Sequence, residues 1–155
     1  MMNNTATKQI LNQLIVDTTQ LSMIVHQTHW YMRGTDFLTL HPLMDEWRDD
    51  LEDQVDELAE RLIVLDGAPT ATLAEVVAQT KLTTQPGVYT RTMTDRLDEL
   101  ATDYRYLADL YQQGIEITGD AKDDSTQDIL IGFKTAIEKL LWMIESELSR
   151  APKRG

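Results

Sequence analysis

A chain of 155 residues is long enough for one domain with a substantial core, and the absence of cysteine excludes disulfides, thiolate metal sites and cysteine nucleophiles. The formal net charge of −12 opposes binding to polyanions and draws cations toward the surface. No apolar run approaches the length of a membrane span, and the opening Met-Met-Asn-Asn-Thr-Ala-Thr-Lys carries no signal-peptide core, so a soluble cytoplasmic protein is expected.

Helical periodicity divides the chain. The first helix, expected over residues 5–33, places Ile10, Leu11, Leu14, Ile15, Leu21, Ile24 and Val25 on one face. Gly34 is a natural stop, and Asp36 is a candidate cap for a second helix over 37–65. So short a connection makes these helices antiparallel neighbours. His29 lies five residues before Gly34 and His41 five after Asp36. The two should stand at similar heights beside the turn, which makes His29 a candidate ligand together with His41.

Asp66-Gly67-Ala68-Pro69 breaks the chain, and Thr72-Leu-Ala-Glu75 reads as a capping box opening a short helix over 72–80. The Thr-rich segment as far as Met93 reads as a long crossover between two antiparallel pairs. A domain boundary is the weaker reading, because neither half buries its apolar face alone. The third long helix, 94–118, turns Leu97, Leu100, Ala101, Tyr104, Leu107, Ala108 and Tyr111 inward, with Gly119 as its stop. An acidic turn, Asp120 to Asp128, leads into the last helix over 125–149, where Ser125 and Asp128 resemble a capping box. The expected fold is all-α: one domain over 1–155, with four long helices and one short helix in the crossover.

The second helix carries ligand-type side chains at both ends. Pro42 suits a first helical turn. His41 and Asp45 are four residues apart, as are Asp56 and Glu60, so each pair projects from one face. All four lie within an arc of about 100°, yet Asp45 and Asp56 are about 16 Å apart along the axis. One ion cannot touch both ends. A second copy packed antiparallel across a two-fold axis removes the difficulty. His41 with Glu60, and Asp45 with Asp56, share one midpoint between Asp50 and Leu51, so a single axis brings both pairs together and generates two equivalent sites. The competing reading is an ordinary solvated acidic face.

With His26, His29 and His41 the only histidines, paired Glu-x-x-His motifs and His-Glu-x-x-His are absent, as are a nucleophile elbow and a Gly-rich phosphate loop. Two imidazoles with three carboxylates form a mixed N/O set that suits Fe, Mn or Zn better than Mg.

His29-Trp30-Tyr-Met-Arg-Gly34, Phe37-Leu-Thr-Leu-His41 with Asp45, and Asp56-Glu-Leu-Ala-Glu60-Arg61 resemble the Dps family of mini-ferritins, as do Asp123-Asp124 with Asp128 and the late Trp142-Met. The resemblance covers nearly the whole chain. It implies a ferritin-like four-helix bundle assembled as a hollow homododecamer that oxidises Fe(II), preferentially with hydrogen peroxide, and stores the ferric mineral. It implies a shared two-fold site, with His29, His41 and Asp45 from one chain and Asp56 and Glu60 from the other. Iron is then the expected metal, with Zn or Mn as substitutes. By the same resemblance Trp30 donates electrons and limits radical escape, and Asp124, Asp128 and Asp120 belong to a three-fold pore that admits iron.

Plainer readings stand beside these. His26 points about 60° away from His29 and is expected to be structural rather than a ligand. Trp30 can simply pack, Trp47 and Trp142 are expected in core or interface, and the acids near 120–128 can be caps. Some Dps relatives coat DNA through Lys-rich tails. Here the tails offer only Lys8, Lys153 and Arg154 beyond Arg150, so DNA binding is not expected.

Overall fold

The computed structural model describes residues 4–152. Among them are five α-helices: α1 Thr5–Tyr31, α2 Phe37–Val64, α3 Leu73–Gln79, α4 Met93–Asp120 and α5 Asp124–Glu147, with no strand. α1 packs along α2, α4 along α5, and α1 against α4. Leucines and isoleucines of all four long helices close the core, with Tyr104 and Tyr111 of α4 inside it. The inward residues expected for α1 and α4 are buried there. No helix among the described residues is long and apolar enough to cross a membrane.

The crossover is fastened to α1 and α4 by polar side chains at successive levels. Asn12 brackets it at one end, donating to Ala68 O (3.0 Å) and accepting from Thr70 N (2.8 Å). Buried Asp17 accepts from the Thr80 hydroxyl, Lys81 N, Gln13 and the Tyr106 hydroxyl. Glu99 accepts from Thr84 and Arg91, and Gln27 donates to Gln85 O. Such groups replace an apolar seam where an irregular backbone must find partners.

Several helix ends differ from expectation. α1 stops at Tyr31, with Met32 extended and Gly34 at φ 128°, a conformation that suits glycine. Asp36 makes no side-chain cap. Pro42 sits inside α2, beyond its first turn, and offers no N–H to the exposed end of the helix at Leu38. α4 continues through Gly119 and closes when Asp123 N donates to Thr118 O and left-handed Lys122 donates to Gly119 O. α5 is capped by Asp123, whose carboxylate accepts from Thr126 N, so Ser125 is not the cap. Thr72 accepts from Glu75 N and caps α3 as expected. Trp47 joins the core, whereas Trp142 is 51% exposed.

Candidate metal centre

The tight turn from Met32 to Asp36 sets the end of α1 against the start of α2. Gly34 O accepts from Phe37 N, and Asp36 O accepts from the next backbone amides, which starts α2 at once. The result is an interlock of two imidazoles. His29 Nδ1 lies 2.8 Å from His41 O, and His41 Nδ1 lies 2.9 Å from His29 O. A carbonyl oxygen only accepts, so both Nδ1 atoms carry the proton. In the neutral rings both Nε2 atoms are therefore bare lone pairs, the form a metal ligand requires.

The rings stack with centroids 3.7 Å apart and planes within 12°, and Phe37 covers the other face of His41 at 4.6 Å. His29 is buried and His41 half-buried. Asp45, one turn along α2 from His41, puts a carboxylate oxygen 3.6 Å from His29 Nε2. Two electron-pair donors are thus held near each other at an exposed edge, where a cation can lie between them.

Asp56 and Glu60 are exposed and belong to the far part of α2. The single chain does not bring them to His29, His41 and Asp45. Among its described residues no three such side chains converge on one point closely enough to hold an ion.

His26 takes no part as a donor. Arg48 Nη1 donates to its Nε2 over 3.1 Å. A guanidinium only donates, so that lone pair is already spent and the imidazole is neutral. Burial first, and then the positive charge of Arg48, push its pKa below the ordinary histidine value. Arg48 is in turn held by Asp49 at 2.6 Å. Trp30 is 58% exposed and stacks on His26 at 4.1 Å, so it is not a core residue. Arg48 was not singled out from sequence, and Phe37 stood only within a motif, without a role of its own. The signal was there: pairing position 29 with 41 across the turn also carries the long side chain at 48 toward 26.

At the other end of the bundle Asp120, Asp124 and Asp128 are exposed, while Asp123 is not free. Burial pushes the Asp123 carboxyl up, but hydrogen bonds from Thr126 and the charge of Arg61 at 3.0 Å outweigh it and hold the group below the usual carboxylate range. Asp123 is a fixed cap tied to α2. The three exposed carboxylates around it have no such restraint.

This fold has counterparts. The ferritin-like domain family matches residues 8–153. The DNA protection during starvation protein of Streptococcus suis (strain P1/7) is 41% identical over 146 residues, covering 94% of this chain and 85% of that protein. The X-ray structure of Dps from Listeria monocytogenes superposes with a TM-score of 0.93 at 38% identity, covering 98% of this chain and 99% of that one. Dps from Listeria innocua soaked with zinc superposes at 0.90 with 39% identity, over 94% and 98% of the two chains. The chain therefore belongs to the ferritin-like family, among the DNA protection during starvation (Dps) proteins.

Proposed function

We propose that the chain is a ferroxidase and iron store, with Fe(II) and hydrogen peroxide as its substrates and a hollow homododecamer as its working form. The observation that carries this reading is the His29–His41 interlock, which presents two bare Nε2 atoms beside the Asp45 carboxylate. Asp56 and Glu60 of a second copy complete the ligand set across a two-fold axis, a reading that the common midpoint of the pairs in α2 supports.

The chemistry follows from the donors. Three carboxylates with two neutral imidazoles offset the charge of Fe(III) better than that of Fe(II), which lowers the barrier to electron loss. Two Fe(II) ions give one electron each to hydrogen peroxide, its O–O bond breaks, and two protons complete two waters. Consuming iron and peroxide in the same step leaves little of either for hydroxyl radical formation. Trp30 supplies an electron when only one iron is present, a role that its exposure next to His29 and its stacking on His26 support. Asp120, Asp124 and Asp128 serve as the entry for Fe(II). Zinc and manganese suit the same N/O set as substitutes, and a Listeria innocua relative was soaked with zinc. The cytoplasm is the compartment we assign.

The second reading is a protein that compacts DNA. The relatives' names speak of DNA protection, and those names alone do not favour a chain that leaves DNA untouched. The surface argues for chemical protection instead. The net charge is −12, and Arg150 is held by Glu145 and Asp98, whose carboxylates offset its charge; Lys8 Nζ donates only to a backbone carbonyl, Asp66 O. Lys153 and Arg154 lie outside the described residues.

Titration with Fe(II) tests the proposal. Saturable binding is expected, followed by ferric absorbance that grows faster with hydrogen peroxide than with oxygen. Equal rates with the two oxidants would remove the peroxide-driven reading.

A further inference from the structure

α2 and α5 flank the same core without packing closely on each other, and between them runs a cleft of about 450 Å³. Its walls are apolar: Leu43 and Trp47 of α2 face Phe133, Ile137, Leu140 and Met143 of α5. Its rim is not. Glu46, Asp50 and Asp53 stand along the α2 side, against the single cation Lys139 on the α5 side.

Tyr104 of α4 borders the cleft from below, 1% exposed, and its hydroxyl has no hydrogen-bond partner among the described residues. Its neighbours on α4 differ in this respect: Tyr106 donates to Asp17, and Tyr111 donates to Gln54. A buried phenol with an unused donor and acceptor is uncommon in a well-packed interior. Burial and the nearby Asp50 push its pKa upward, so the proton stays on the oxygen. Burial, and then Asp53, Glu46 and Asp49, push the Asp50 carboxyl up as well, a crowding that a bound cation relieves.

We propose that this cleft binds a small organic amine, with its ammonium group among Glu46, Asp50 and Asp53, its apolar body on Trp47, Phe133 and Met143, and a polar atom at the Tyr104 hydroxyl. The apolar walls disfavour a bare hydrated metal ion, and the acidic rim disfavours an anion. The site does not depend on the iron chemistry proposed above.

Calorimetry on the assembled full-length protein tests this with three probes: tyramine, phenethylamine and 3-(4-hydroxyphenyl)propionate. Both amines should saturate, tyramine the more tightly, and the propionate should not. Asp50→Asn should weaken both amines by about threefold, as for an exposed ion pair. Tyr104→Phe should weaken tyramine alone by about fivefold, as for one neutral hydrogen bond, and so erase its advantage. Ala136→Trp fills the cleft from the exposed surface of α5 and should abolish binding while Tyr104 and the acidic rim keep their native side chains. Propionate binding as tightly as tyramine, no saturation by either amine, or binding that survives Ala136→Trp would overturn the proposal.

Discussion

His29 and His41 each donate Nδ1–H to the backbone carbonyl of the other, so neither imidazole can turn without breaking a bond that its partner shares. Every isolated hydrogen bond of this kind contributes about 1 kcal/mol, but here the geometry matters more than the sum. The interlock fixes both tautomers before any metal arrives. Substituting His29→Ala removes one donor and the stacking partner of the other. Affinity for Co(II), read from its visible absorbance, should fall by at least about tenfold, as for loss of a ligand together with the orientation of its neighbour. Helix content should be retained. Unchanged cobalt affinity would show that these rings serve packing only.

The exposed carboxylates at the α4–α5 turn should act on entry rather than on oxidation. In the Asp124→Asn, Asp128→Asn double variant, the initial rate of iron uptake at limiting Fe(II) should drop while assembly stays intact, because cation focusing at the entrance is weaker. Asp123, fixed by Arg61, should not substitute for them. Equal initial rates would return these residues to the role of turn and cap.

The placement of His41 and Asp45 at one end of α2 and of Asp56 and Glu60 at the other was legible because a single helix imposes fixed spacing; their meeting across a two-fold axis remains the proposal. The pairing of His29 with His41 was legible because the turn is short. The Arg48–His26 hydrogen bond was not, since it depends on how a long side chain bends between helices. The cap of α5 shows the same limit. Ser125 and Asp123 both have capping chemistry, and the tertiary contact from Arg61 favours Asp123. Gly119 did not stop α4, because a glycine inside a helix costs only about 1 kcal/mol and the closing bonds from Lys122 and Asp123 lie just beyond it.

Asp103 of α4 predicts a pH dependence unrelated to the metal centre. It is 8% exposed with one carboxylate oxygen unpartnered, and burial first, then Glu99, push its pKa up to about 7. A folded-state pKa above the unfolded one means that the native state holds the proton longer. Stability from this group is therefore complete below the ordinary carboxylate range and is lost as pH rises through about 7. Asp103→Asn should raise the melting temperature at pH 8 and change it little at pH 4. Equal effects of the substitution at the two pH values would contradict this.

DNA retention separates the two functional readings. With a net charge of −12 and Arg150 near the C-terminal tail held by Glu145 and Asp98, the protein should leave DNA unretarded in a gel shift at physiological salt without added divalent metal. Retarded DNA at low micromolar protein would favour compaction.

The proposed two-chain site is tested most directly by complementation. One variant carries His41→Ala and Asp45→Ala, the other Asp56→Ala and Glu60→Ala, and each alone damages every site. In a mixed pair, one site loses both halves, while the other receives intact His41 and Asp45 from one chain and intact Asp56 and Glu60 from its partner. Random mixing makes about half the pairs mixed, so roughly a quarter of sites should recover rapid peroxide-driven oxidation in co-refolded shells whose mixed composition is confirmed by mass. Activity no higher than that of either parent would contradict a site built from two chains.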